Sequence, residues 1–545
     1  MSSTKNILLF GAAMLTIGAF SPAQAFCGFY AGKADATLFN EASQVVVARD
    51  ANRTVLSMSN DYQGPLTEFA LIVPTPVVLQ QGQVRIVDRA VFEHLDAYSS
   101  PRLAEYYDRD PCEMNFAWGH DLYPRQVMAL MAAPMAAAPA GAARAKALGV
   151  TVEAKYTLGE YDIVSLSAQQ SDGLETWLRE NGYKIPKGAS AALKPYINQG
   201  MKFFVAKVNL KEQLKTGYST LRPLQFAFES EKFMLPMRLG MLNAPPDKAQ
   251  DLIIYLLTRQ GRVESSNYRT VKLPANVNLP DFIKPRFEDF YKAMYDTASK
   301  REDYRAVFTE YFWNMAWCDP CAAQPLRREE LYQAGVFWLD GDVEQGFRSL
   351  QNPVLPSRVP PIAGNGAEPV LLTRLHVRYK PRTFPEDLMF IQTGDTQNWQ
   401  ARYVIQNPYG GTVAECSARV GKMDCAAMCE ERVSSVQNLI KGNDTNFAAQ
   451  YRGKSRQALS SDCLSSCEAS KAQGLEAAMR YYQKILPERI AAEEQTLAQL
   501  TGWSLHDIDA MPGATRISAL TREENAPVSG AAPPAQTWWQ RLFSR

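Results

Sequence analysis

Nine cysteines are the residues of this sequence best spaced to do chemistry. Cys318 and Cys321 lie in FWNMAWCDPC, a Cys-x-x-Cys spacing that suits a redox dithiol, a metal clip or a local staple. A catalytic pair would use Cys318 as nucleophile and Cys321 as resolving thiol. It would also need a strand before it and a helix after it, whose terminal N–H groups and dipole stabilise the thiolate. The spacing of Tyr304, Val307, Phe308, Tyr311, Phe312 and Met315 predicts a helix upstream instead. Downstream, Pro325 would fall in the second turn of any helix, removing a hydrogen bond and clashing. A structural disulfide is therefore the reading adopted for this pair, with thiol-disulfide exchange as the alternative.

Cys425 and Cys429, then Cys463 and Cys467, form two Cys-x-x-x-Cys pairs. Positions i and i+4 share a helix face, so two antiparallel helices could be stapled by Cys425 to Cys467 and Cys429 to Cys463. Zinc competes for the four thiols, but structural zinc sites favour Cys-x-x-Cys and reduced thiols. No metal and no cofactor are expected. Cys27 is expected to bridge to Cys112, which leaves Cys416 as the odd cysteine.

Of four histidines, His376 has the most suggestive neighbours. On the strand LLTRLHVRY, Arg374, His376 and Arg378 point to one face, while Leu375, Val377 and Tyr379 point to the other. The basic row could bind a carboxylate or phosphate, but a solvated sheet face is the reading adopted. No Gly-x-Ser-x-Gly elbow, phosphate loop, His-Glu-x-x-His or dinucleotide fingerprint occurs in the sequence.

The cysteine reading depends on compartment. Met1 to Ala25 carries Lys5, an apolar run from Ile7 to Phe20 and a terminal Ala-Gln-Ala, the pattern of a signal peptide cleaved before Phe26. The mature chain is expected in the periplasm or secreted, where thiols pair. Without Lys5 it holds 57 basic and 57 acidic residues, a balance that offers no attraction to nucleic acid.

These residues must be positioned by an α+β fold of mainly antiparallel sheets and amphipathic helices, with a helical, disulfide-stapled C-terminal region. After residues 1–25, residues 26–126 read as an α+β region with short strands from Gln44 to Pro76 and a helix near Val84 to Tyr98. Residues 127–149 form an Ala/Pro-rich linker or insertion. Residues 150–280 alternate with period two, as in Phe204, Ala206 and Val208, around one helix in SDGLETWLRENGY. Residues 281–410 open with a helical pair, the first striped by Phe287, Phe290, Tyr291, Met294 and Tyr295, before the WCDPC motif and further strands. Residues 411–523 are helical, with Pro487 at the first turn of a helix. A Pro/Ala-rich linker then carries the aromatic tail TWWQRLFSR over 524–545, too short to span a membrane but able to touch its surface or a partner.

FCGFYAGKADATLFNEASQVVVARD, NDYQGPLTEFALIVPTP, SDGLETWLRENGYKIP, LRPLQFAFESEKFMLPMRLGM, NYRTVKLP, FTEYFWNMAWCDPC and FPEDLMF resemble, in order, the bacterial exported family designated domain of unknown function 2330. The resemblance runs from about Phe26 to Trp503. It implies an envelope or secreted protein and carries over no activity or catalytic residue. WCDPC is similar to the thioredoxin motif WCGPC over five residues only. The reading is an exported binding or structural protein whose partner the sequence does not identify, another envelope protein being the candidate, with a thiol-disulfide oxidoreductase acting through Cys318 and Cys321 as the alternative.

Overall fold

Val45, Val46 and Val47 lie on a twelve-residue strand, Phe39–Asp50, and are buried on both of its faces. A β-branched run of this kind needs a layer on each side. The computed structural model supplies both layers. It describes residues 29–32, 39–63, 69–114, 116, 150–181, 188–216, 221–243, 249–317, 319, 323–339, 341–352, 368–380, 382–441, 451 and 453–514.

Among these residues the main sheet has nine strands. Its path runs Arg269–Lys272, Ala306–Asn314, Leu371–Tyr379, Gln250–Thr258, Phe39–Asp50, Arg53–Gln63, Leu224–Glu229 and Val84–Ile86, and Trp399–Gln400 pairs off the second. Two of its pairings, Gln250–Thr258 with Phe39–Asp50 and Arg269–Lys272 with Ala306–Asn314, are parallel, and the others are antiparallel. A second, antiparallel sheet of five strands runs Phe29–Gly32, Phe69–Thr75, Lys202–Val208, Tyr161–Ala168 and Val150–Leu158.

The two sheets face each other through Val45, Val47, Leu252, Ile254 and Val377 on one side and Leu71, Val73, Ile163 and Phe204 on the other. The outer face of the smaller sheet is covered by the helices Ser171–Glu180 and Ala189–Asn198. Ala90–Ser99 and Phe287–Arg301 cover the outer face of the larger one. The order of layers is helix, sheet, sheet, helix, which buries both faces of both sheets.

One predicted helix is a strand. Ala306–Asn314 pairs antiparallel with Leu371–Tyr379 from Val307 to Asn314, and a β-bulge between Thr309 and Tyr311 leaves Glu310 as the extra residue. The bulge puts Phe308 and Tyr311, three apart, on the same face of the sheet, in one core with the helices. Burial on both faces fills in the remaining positions, so the pattern imitates a helical stripe.

The C-terminal module is helical as expected. Thr412 caps Val413–Gly421 in a capping box with Glu415, and Cys425–Lys441 then packs against Arg456–Arg480. Pro487 sits in the first turn of Leu486–Thr501 as predicted, but that helix is not separate. Arg456–Arg480 continues through a π turn at Tyr481–Ile485 into Leu486–Thr501. The proline lacks the N–H for the next i→i−4 bond and crowds that carbonyl, and the wider turn before it relieves the clash. Thr297 and Arg301 of the sheet-covering helix donate to the Thr501 and Gln499 carbonyls, which docks the module on the body. Residues 1–25, 127–149 and 524–545, with the predicted signal peptide, linker and tail, lie outside the described residues.

Candidate functional site

The basic row faces neither solvent nor an open groove. Arg374 and His376 share a face of the Leu371–Tyr379 strand with Phe308 and Tyr311 of its neighbour, and with Ile253 and Tyr255 on the other side. That face lies under the two helices, so Arg374 is 0% and His376 2% exposed. The alternation of the strand is as the sequence predicts; the solvated face is corrected by the helices that cover it.

Each cation has carboxylate partners inside the protein. Arg374 Nε donates to Glu310 at 2.5 Å and Nη1 to Asp96 at 2.7 Å. His376 lies between two carboxylates, with Nδ1 2.6 Å from Glu310 and Nε2 3.1 Å from Asp251. Arg378 forms a fork on Asp251, with Nε at 2.8 Å and Nη2 at 2.7 Å. Tyr291 donates to Glu310, and Tyr255 donates to Asp96 at 3.0 Å. The Tyr295 ring stacks on His376 at 3.9 Å, with Arg378 over its face.

Electrostatics follow from this enclosure. Burial alone would raise the Glu310 carboxyl, but the charges and hydrogen bonds of His376 and Arg374 hold it at about 2. Burial likewise opposes ionisation of Asp251, and the charge of Arg378 overcomes it to hold that carboxyl well below its usual range. Burial disfavours charge on His376, yet the Glu310 charge and the bonds to both carboxylates raise its pKa. Each ring nitrogen faces a carboxylate oxygen, an arrangement that favours the imidazolium. At Asp96 burial outweighs Arg374 and pushes the carboxyl up. With His376 protonated, three cations face the carboxyls of Asp96, Asp251 and Glu310. An incoming anion would have to displace an internal carboxylate, and in its protonated form His376 has no lone pair with which to act as a base. The arrangement locks strands to helices.

Asp96, Asp251, Glu310 and Tyr255 escape the sequence reading, and Tyr291 and Tyr295 enter it only as part of a buried helix stripe. Only Glu310 left a signal, a carboxylate inside an aromatic run, and the helical interpretation concealed it.

Cys318 and Cys321 lie outside the described residues. Their surroundings are described. A strand, not a helix, precedes the motif, which removes one of the two arguments against redox chemistry. The other stands, since residues 323–327 have no regular structure and the next helix is Arg328–Gln333. Asp319, between the cysteines, is buried and accepts from Tyr311 Oη at 3.1 Å and Gln400 Nε2 at 3.2 Å.

Among the described residues there are three disulfides. Cys425–Cys467 and Cys429–Cys463 staple the two antiparallel helices, with Cα separations of 5.8 and 5.7 Å. Cys112 pairs with Cys416, not with Cys27, so Cys416 is not the odd cysteine. The parallel pairing of Arg102–Tyr107 with Arg402–Asn407 sets Tyr107 opposite Asn407, and both chains leave the sheet side by side. Arg419 then bonds Asp110 and holds the Val413–Gly421 helix beside the turn that carries Cys112. Cys27 lies outside the described residues.

A second charged cluster lies where the module meets the body. Asp108 accepts from Tyr481 and from Arg489 Nη2 at 2.8 Å, and Arg489 Nε is 3.6 Å from Glu493. Burial, with Asp281 and Asp108 nearby and only Arg489 opposing, pushes Glu493 up to about 7. Among the described residues no group of three or more His, Cys, Asp or Glu side chains could hold a metal ion, and no helix is long and apolar enough to cross a membrane.

In comparisons with known proteins, the model of a family described as an uncharacterized protein conserved in bacteria matches residues 21–391. That match ends before the Arg402–Asn407 strand and the helical module, short of the Trp503 to which the resemblance was expected to run. No curated protein and no solved structure matches the chain.

Proposed function

The chain belongs to the bacterial family designated domain of unknown function 2330, and on that basis and its cysteine framework we propose that it is an exported binding or structural protein of the bacterial envelope. The observation that carries the reading is the Cys112–Cys416 disulfide, which joins the helical module to the sheet body across 304 residues. A fold held by three buried disulfides suits an oxidising compartment. The inward bonding of Arg374, His376 and Arg378 supports a structural use of those charges.

The alternative, a thiol-disulfide oxidoreductase acting through Cys318 and Cys321, draws support from the strand that leads into WCDPC. The irregular run at 323–327 weighs against it, because among the described residues the next helix terminus, at Arg328, lies seven residues beyond Cys321, too far to lower a thiol pKa. Crosslinking of the protein in its own bacterial envelope tests the favoured reading. It should recover the same envelope partner on each repetition, while the purified protein does not turn over insulin disulfides. Insulin reduction abolished by Cys318→Ser without loss of fold would replace this reading with the alternative.

A further inference from the structure

In order along the chain the cysteines are Cys27, Cys112, Cys318, Cys321, Cys416, Cys425, Cys429, Cys463 and Cys467. The native bonds do not follow that order. Cys112–Cys416 passes over Cys318 and Cys321, and Cys425–Cys467 encloses Cys429 and Cys463. Cys429–Cys463 joins neighbours, but only if Cys425, four residues from Cys429, has been left unpaired. From this nested and long-range connectivity we infer that the chain is a substrate of a thiol-disulfide isomerase, a dithiol protein that exchanges wrongly paired cysteines.

The competing bonds are favoured by time and by distance. A chain threaded through a membrane from its N-terminus exposes Cys112 with only Cys27 for company. At roughly 5–20 residues per second, the 304 positions to Cys416 take about 15–60 s to arrive. Thiol pairing with an oxidant can occur within seconds. Loop closure falls as about the −3/2 power of separation, so the 85 positions between Cys27 and Cys112 favour that contact roughly sevenfold over the native one in an unfolded chain. The same scaling favours local contacts among Cys425, Cys429, Cys463 and Cys467 over the outer native bond.

The folded state gives the exchange its direction. Cys112 and Cys416 are each 2% exposed, and Cys429, Cys463 and Cys467 are fully buried. A native bond is therefore withdrawn from attack, while a wrong bond holds the chain open and stays within reach of a thiolate. In the exchange, the isomerase thiolate attacks the Cys27 sulfur of a Cys27–Cys112 bond, and Cys112 leaves as a thiolate. Cys112 attacks Cys416 in a second wrong bond and displaces that partner's thiolate. The displaced thiolate attacks Cys27 in the mixed disulfide and releases the isomerase thiolate. Bonds broken and formed are equal in number and no net electrons move. The earlier oxidation passes two electrons and two protons per bond to a disulfide oxidant.

This inference rests on the export reading for the order in which the cysteines emerge and for where the chain meets the isomerase, while the connectivity and the distance argument stand without it. The test uses the full chain without residues 1–25, reduced and denatured, then diluted into oxidised glutathione alone or with a purified disulfide isomerase. Non-reducing peptide mapping follows the Cys112–Cys416 peptide over time. Active isomerase should raise its rate of appearance at least tenfold, and an isomerase lacking its nucleophilic cysteine should not. Oxidant alone should accumulate Cys112 linked to Cys27, Cys318 or Cys321. Replacing those three competitors by serine should reduce the dependence on isomerase severalfold. Equal rates with and without active isomerase, or undiminished dependence in the triple variant, would overturn the inference and leave the export reading untouched. A cytoplasmic chain with its three native bonds formed would overturn export alone.

Discussion

Arg374→Met tests whether the buried charges hold the sheet to its helices. The guanidinium is wholly buried and bonded to Glu310 at 2.5 Å and Asp96 at 2.7 Å, so methionine leaves two carboxyls enclosed without their cation. Breaking a buried pair in this way costs about 3–5 kcal/mol. Tyr291 and His376 still donate to Glu310, and Tyr255 to Asp96, which places the expected loss near the lower end, about 3 kcal/mol.

The loss should also depend on pH. Without Arg374 the Asp96 carboxyl, already raised by burial, loses the charge and hydrogen bond that oppose the rise, so the native variant holds a proton that the unfolded chain releases, and Glu310, which keeps His376, moves in the same direction. Its stability is then greatest below about pH 4 and declines as pH rises through the raised values. Urea unfolding followed by tryptophan fluorescence, with disulfides intact, should show a larger deficit at pH 8 than at pH 5. A deficit below about 1 kcal/mol at both values, smaller than breaking a buried ion pair allows, would refute the reasoning.

His376 is raised in the folded state, so its contribution is complete below about pH 6.5 and is lost as pH rises through the folded value. His376→Gln should flatten that alkaline decline, and an unchanged stability curve between pH 6.5 and 9 would count against the imidazolium. Glu493, at about 7 against an ordinary value near 4.5, destabilises the fold as pH rises between the two. Glu493→Gln should therefore gain about 1–3 kcal/mol at pH 8 and nothing at pH 4, and a loss at pH 8 would contradict this. Cys112→Ser with Cys416→Ser should lower stability by about 2–5 kcal/mol and expose the helical module to limited proteolysis before the sheets. Proteolysis that starts in the sheets would oppose that order.

What was legible in the sequence was local. The aromatic stripe from Phe287 to Tyr295 predicts its helix because all its partners lie on one side. The twin Cys-x-x-x-Cys spacing points to the stapled pair because the i, i+4 face is a property of one helix. Tyr304 to Met315 misled because one bulged residue, Glu310, shifts the strand period within a segment buried on both faces. The direction of Arg374, His376 and Arg378 was readable, but not the helices opposite them, whose residues lie some 80 to 280 positions away in the chain. Cys112–Cys416 depends on a parallel pairing of strands 300 residues apart, and no spacing rule reaches that far.

The most direct test of the central claim is a combined peptide map and fractionation of the protein from its own bacterium. The account predicts a chain beginning at Phe26, recovered outside the cytoplasm, with Cys112 joined to Cys416 and the two helical staples formed. A chain that retains Met1 to Ala25 in the cytoplasm, with those six cysteines as free thiols, would contradict it.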